Sequence, residues 1–271
     1  MAGATLAGDG HRPTLRQSLA VQSRVITALL MREVLTRYGR HNIGFLWLFV
    51  EPMIFTIGVT ALWTLTKTVH GSTIPITAFA LTGYSSVLLW RNMPGRCINA
   101  LAPNLPLLYH RDVRMPDILL ARLLLELAGA TMSFLALALL FHLIGWTDLP
   151  ENLAEVIGGW ALLAWFGMAL ALLLGALSVR SELVEKLWHP LSYLTFPLSG
   201  AAFMVDALPH EAQGYVLLLP MVHAVEMVRE GYFGASAHAH YDVAYVIAVT
   251  LILTFVALLQ LRLVAPQIVI E

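Results

Sequence analysis

Apolar residues run in long blocks over most of the chain, with polar residues gathered in short breaks between them. Six blocks, at 43–66, 74–90, 116–144, 156–179, 187–205 and 243–261, have the composition of membrane-crossing helices, for which about 20 apolar residues suffice. The pattern predicts an all-α membrane protein with six transmembrane helices occupying 41–265. The block at 156–179 has no formal charge. The block at 187–205 is interrupted by Pro190, Pro197 and Ser199-Gly200. It is predicted to be a broken or re-entrant fifth helix, which needs protein or water around its freed backbone groups. Before the first block the period changes. Over 12–40, Leu15, Leu19, Ile26, Leu30, Val34 and Tyr38 recur at helical spacings, with one gap at Gln22 and arginines between them. This predicts an amphipathic helix lying in the membrane surface, in preference to one packed on a partner protein. Residues 1–11 read as a disordered tail. The first 40 residues show neither the apolar core nor the cleavage site of a secretory leader.

Composition strengthens this picture. The 271 residues are 58% hydrophobic and only 12% charged, with mean hydropathy +0.74. Soluble domains carry about 25% charge, so a soluble enzyme and a disordered chain are both excluded. The single cysteine, Cys97, excludes an internal disulfide and a cysteine-based metal site. Charge placement sets the orientation. Of the 16 Lys and Arg, all but Lys67 and Arg229 fall before 41, within 91–122, within 180–186 or after 261. The loop at 143–155 has Asp148, Glu151 and Glu155 but no cation. The positive-inside rule then makes both termini, 91–115 and 180–186 cytoplasmic, and 206–240 external.

Candidate chemistry is sparse. A G-x-x-x-x-G-K-[ST] loop is missing, so ATP hydrolysis by this chain alone is not expected. Neither G-x-S-x-G nor H-E-x-x-H occurs, and no His/Cys group has zinc spacing. His223 and Glu226 share a helix face, which Arg229 and Glu230 extend; a polar network on an external helix is favoured over a metal site. Glu51, followed by Pro52, is an acid inside an apolar block and hence a functional candidate. Helix capping or pairing with a nearby arginine is favoured for it over substrate contact. The segment 104–113 combines apolar Leu107, Leu108 and Tyr109 with charged Arg111 and Asp112. Docking into a groove on a partner and an ordinary membrane-surface loop explain it equally well.

Three stretches resemble permease subunits of ABC exporters for bacterial capsular polysaccharide, the type-2 exporter permeases. They are MREVLTRYGRHNIGFLWLFVEP at 31–52, NLPLLYHRDVRMPDILLARLLLE at 104–126 and LPMVHAVEMVREGYFG at 219–234. The resemblance is carried by Arg32, Glu33, Arg37, Glu51, Pro52, Asn104, Arg111, Asp117, Arg122, Glu126, His223, Glu226, Arg229 and Glu230, among others, and covers about 25–262. It implies two permease copies paired with two copies of a cytoplasmic ATP-binding subunit, which supplies ATP and Mg chemistry. No cofactor is expected on this chain, which is not itself an enzyme. The segment Asn104, Leu105, Pro106, Leu107, Leu108, Tyr109, His110, Arg111, Asp112 and Val113 is then the one that docks on the ATPase. Arg32, Glu33, Arg37, Arg122 and Glu126 become structural or gating candidates, with Glu51, Pro52 and the His223 face. The implied cargo is an anionic polysaccharide on a lipid terminus, crossing the bacterial inner membrane between the two copies. A periplasmic polysaccharide co-polymerase or adaptor and an outer-membrane exporter continue the route. Membrane lipid is the other expected partner, and no nucleic acid is implied.

A sugar path calls for aromatic faces and hydrogen-bonding groups. Tyr84, Tyr193, Trp63, Trp90 and Phe196 are the candidates, Tyr84 and Tyr193 first because they lie deeper; Trp63 and Trp90 also fit interfacial aromatic belts. Lys67, Arg91 and Arg96 could attract an anionic polymer or contact headgroups. O-antigen or teichoic acid export by the same fold is the nearest alternative. A membrane-embedded glycan or acyl transferase is a second class, which the opposite placement of Glu51 and His223 disfavours. An ion-coupled carrier is a third, disfavoured by the scarcity of charge in the central turns of the spans.

Overall fold

The computed structural model describes residues 14–39, 42–66, 74–108 and 113–268, and all regular structure among them is helical. Helix α1 (Leu15–Tyr38) opens on a capping box in which Thr14 and Gln17 each receive the other's backbone N–H. Helix α2 spans Asn42–Thr66 and α3 spans Ile76–Cys97. A tight turn at Ala102–Asn104 leads into the single helical turn α4 (Leu105–Leu108). The long helices α5 (Met115–Leu143) and α6 (Leu153–Ser178) follow, α6 capped by Asn152, whose side chain accepts from the Ala154 and Glu155 amides. Then come α7 (Leu183–Leu198), α8 (His210–Val216), α9 (Pro220–Phe233) and α10 (Val243–Ile268).

Three of these helices, α5, α6 and α10, are long and apolar enough to cross a membrane, and α2 has a shorter apolar stretch at Phe49–Leu65. The most apolar of the three, α10, is the least buried. Its Leu251, Ile252, Phe255 and Leu258 point away from the bundle, as lipid contact requires. Helix α3 is the reverse. It carries Thr82, Ser85, Ser86, Arg91 and Asn92, yet every residue from 78 to 90 is buried. Neighbouring helices α2, α5 and α6 shield it from the surroundings, and a helix enclosed on all sides is free of the lipid's demand for apolar surface. Close approach along α6 is set by small residues. A Cβ at Gly167 would stand 2.9 Å from Trp90 Cα, and one at Gly159 2.9 Å from the Ala224 carbonyl of α9.

Two elements differ from the expected outline. Helix α3 continues past Trp90 to Cys97 with Pro94 inside it, because its polar last turns face a cleft rather than lipid. The block read as interrupted at Pro190, Pro197 and Ser199-Gly200 holds one continuous helix, α7, through both prolines. A proline can bend a helix without ending it, and Ser192 and Thr195 donate hydroxyl hydrogen bonds to the His189 and Leu191 carbonyls. The helix ends at the third of these interruptions, Ser199-Gly200, and the chain turns at Gly200, where φ is +79°.

Helix α1 packs against α5 of its own chain. Ile26, Leu30 and Val34 of the predicted stripe are half-buried there beside Leu29, Gln22, Glu33 and Arg37. Leu15 and Leu19, one to two turns earlier, are exposed. The tail 1–11 and the Tyr38 side chain lie outside the described residues.

Candidate functional site

A polar cleft of about 360 Å³ opens among α1, α2, α3, α5 and α7. Helix α2 presents Glu51, Pro52 and Phe55; α3 presents Tyr84, Arg91, Asn92 and Arg96 at helical spacings; Arg37, Glu126 and Tyr193 close it. A second recess with Trp188, His189 and Ser192 extends it along α7. The Arg91 guanidinium lies 4.7 Å from the Tyr193 ring centroid and 6.0 Å from that of Phe196. Tyr84 meets Phe196 edge-on at 5.8 Å. Three of the five aromatic path candidates thus gather around one cation that makes no ion pair among the described residues. The other two lie elsewhere: Trp90 is buried against Phe166 and Trp63 packs on Phe79, each at 6.0 Å. Lys67 falls outside the described residues. Such a surface can hold a sugar face by stacking while attracting an anion.

Glu51 does not cap a helix. Helix α2 begins at Asn42, so Glu51 is its tenth residue, with its first-turn amides well behind it. No hydrogen-bond or ion-pair partner meets its side chain among the described residues, so the expected pairing with an arginine is not made either. It faces the cleft.

Beneath the cleft, the charged residues singled out from the sequence are joined across helices. Glu126 lies between Arg37, at 2.5 Å, and Arg96, at 3.0 Å. Arg122 Nε is 3.1 Å from Glu33, and its guanidinium also donates to the Arg96 carbonyl. Arg32 donates to Asn104, and Gln22 to Asp117, which also accepts the Arg114 amide. These contacts fasten α1 alongside the first half of α5 in parallel register. Gln22 is the one member that sequence reasoning passed over, because its partner lies 95 residues away.

The expected docking segment is described in part. Asn104 is buried and its amide donates to the Ala100 carbonyl at 2.7 Å. Leu107, Leu108 and Val113 are half-buried, packed against the core. Leu105, 40% exposed, and Pro106 face outward instead. Tyr109, His110, Arg111 and Asp112 lie outside the described residues.

At the opposite end, α9 forms a buried knot. Arg229 and Glu226 are both 0% exposed. Arg229 donates to the carbonyls of Gly200, Ala201 and Phe203 at 2.6, 2.7 and 2.5 Å, and its guanidinium carbon sits 4.0 Å from the Phe79 ring centroid. Glu226 accepts the Val205 and His240 amides at 3.3 and 3.1 Å. Burial pushes its carboxyl above the usual range, opposed by Arg229 and those amides. His223 Nδ1 accepts the Asp242 amide at 2.9 Å, which leaves Nε2–H to donate to the Leu217 carbonyl at 2.7 Å. Both ring nitrogens are thereby occupied by backbone, and the described residues hold no cluster suited to a metal. Burial and the neighbouring Glu230 carboxylate push the Tyr241 phenol up to about 12. On the polar face of α9, Arg229 and Glu226 lie 3.9 Å apart, and most of their hydrogen bonds go to loop carbonyls and amides.

Comparison with known proteins shows the family of the chain. The chain is 42% identical over 253 residues to the capsule polysaccharide export inner-membrane protein BexB of Haemophilus influenzae, covering 93% of this chain and 96% of the relative. It is 42% identical over 243 residues to CtrC of Neisseria meningitidis, also a capsule polysaccharide export inner-membrane protein, covering 90% and 92%. It is 26% identical over 254 residues to the polysialic acid transport protein KpsM of Escherichia coli, covering 91% and 96%. The family model described as ABC-2 type transporter matches residues 24–233. The chain belongs to the ABC-2 type transporter family, as a membrane subunit of that family.

Proposed function

We propose that this chain is the membrane subunit of an ATP-driven exporter that passes a lipid-linked anionic capsular polysaccharide across the inner membrane. Helices α2, α3, α5, α6, α7 and α10 are its six spans. Both termini and the α1 network are cytoplasmic, α9 is external, and α7 with the turn at Gly200 serves as the irregular fifth element. The first turns of α1, with Leu15 and Leu19 outward, lie on the cytoplasmic membrane surface. Two copies assemble with two copies of a separate ATPase, which docks at the segment around Leu105. A periplasmic adaptor and an outer-membrane exporter take the polymer onward.

The observation that carries this reading is the cleft itself: an arginine without a carboxylate partner, set among Tyr84, Tyr193 and Phe196. Its walls α2 and α7 support a second copy opposite. Trp47, Ile54 and Phe55 of α2 are exposed, as are Leu187, Leu191, Leu194 and Tyr193 of α7. Apolar faces of this kind meet lipid or another helix, and the polar groups between them need an aqueous lumen. The path runs past Tyr84, Tyr193 and Phe196; Trp63 and Trp90 hold the bundle together. Arg32, Glu33, Arg37, Arg122 and Glu126 transmit the ATPase movement, and His223, Glu226, Arg229 and Glu230 fix the external end.

The test is purification of the chain from its own host in mild detergent. A nucleotide-binding subunit should accompany it with ATPase activity, and Leu105→Asp should abolish that association while leaving the chain in the membrane. A chain that emerges alone and without ATPase activity under those conditions overturns the reading.

A further inference from the structure

A second concavity lies away from the cleft, where the start of α5 meets the end of α10. It encloses about 590 Å³, within the range of about 300–1,000 Å³ that accommodates one small ligand or chain. Leu108, Met115, Phe255, Leu258 and Leu259 form apolar walls, and the two charged residues lining it, Arg114 and Arg262, are both cations. Both are exposed. Neither makes an ion pair among the described residues: the nearby acid, Asp117, accepts from Gln22 and from the Arg114 backbone amide. Arg114 immediately precedes α5, and Arg262 lies near the end of α10, both helices being apolar and long enough to span a bilayer. The cations therefore lie at headgroup depth, while the walls lie at the depth of acyl chains.

We propose that this groove is a binding site for an anionic phospholipid of the cytoplasmic leaflet, with an acyl chain against Phe255 and Leu258 and the phosphate between Arg114 and Arg262. The inference rests on the membrane placement of α5 and α10 given above. Charge complementarity selects the occupant. Basic pockets between spans on the cytoplasmic side hold acidic headgroups. A lipid seated here touches Leu108 and Val113, both within the segment 104–113 expected to dock on the ATPase, and so ties those two residues to α10.

The test uses the full chain, extracted in mild detergent from membranes containing phosphatidylglycerol and phosphatidylethanolamine, and native mass spectrometry. The chain should retain phosphatidylglycerol in preference to phosphatidylethanolamine. Arg114→Gln with Arg262→Gln should cut that preference about thirtyfold. Leu258→Trp, which fills the groove and keeps both charges, should also displace the lipid. A folded double variant that keeps its phosphatidylglycerol, or a filled groove that still binds it, overturns the proposal. So does cross-linking of a cysteine placed at position 258 to the ATPase subunit with no lipid retained, since the occupant is then protein. Lipid retained by a chain that recruits no ATPase overturns the exporter reading alone, and an ATPase-bound chain without lipid overturns this inference alone.

Discussion

The two ends of the bundle handle charge in opposite ways. At the α1 end, acids and bases from separate helices pair side chain to side chain. The arginines and Glu33 keep partial exposure, whereas Glu126, shared by two of those arginines, is buried. At the α9 end, Arg229 and Glu226 are sealed from solvent and bonded to backbone groups of the turns at 200–205 and 240. The first arrangement can exchange partners as helices slide. The second cannot move without stranding buried carbonyls, amides and a charge, at about 3–5 kcal/mol for a buried pair that loses one partner. In the proposed exporter, the first end would yield and the second hold, as an ATPase acting at the α1 end requires.

The sharpest way to break this contrast is Arg229→Leu. It strands three carbonyls and Glu226, and the expected loss of about 3–5 kcal/mol should remove the protein from the membrane fraction or collapse its thermal stability in detergent. Arg229→Lys should not restore it, since an ammonium lacks the planar fork that reaches three carbonyls. Arg91→Gln comes next. Export of polymer should fall about tenfold, equivalent to ~1.4 kcal/mol, with membrane abundance unchanged, as read by surface capsule against immunoblot. At the yielding end, Glu33→Arg or Arg122→Glu alone should cost about 1 kcal/mol, and the double exchange should recover most of it. Thermal unfolding of all three variants in detergent would show whether the pair is exchangeable. The smallest effect belongs to His240→Gln. Its partner Asp206 is about half exposed, so stability should change by less than about 0.5 kcal/mol.

Much of this plan was legible in the sequence. The apolar blocks located the long helices, and the arginine clusters marked the end where Arg37, Arg96, Arg122 and Glu126 converge. What stayed hidden is nonlocal. Helix α3 was expected only as far as Trp90, because its last turns are polar and the shielding by α2, α5 and α6 is invisible along the chain. Arg229 finds its partners in main-chain carbonyls at 200–203, which no side chain announces. Leu107 and Leu105 are two residues apart in an apolar run, and only the turn at Ala102–Asn104 decides which of them faces outward. Glu51 looked like a capping residue because Pro52 after it suggested a helix break, whereas α2 runs unbroken from Asn42 through that proline.

The central claim is that polymer passes the face made by Tyr193, Arg91 and Phe196. Tyr193 is 68% exposed on that face, whereas Trp90 is buried on the other side of α3. A photo-crosslinking side chain placed at position 193, and in a second strain at position 90, should be activated in cells while export is running. The account predicts an adduct bearing anionic glycan from position 193 that depends on ATP, and none from position 90. No glycan at 193 in a strain that still exports, or equal capture from both positions, would contradict it.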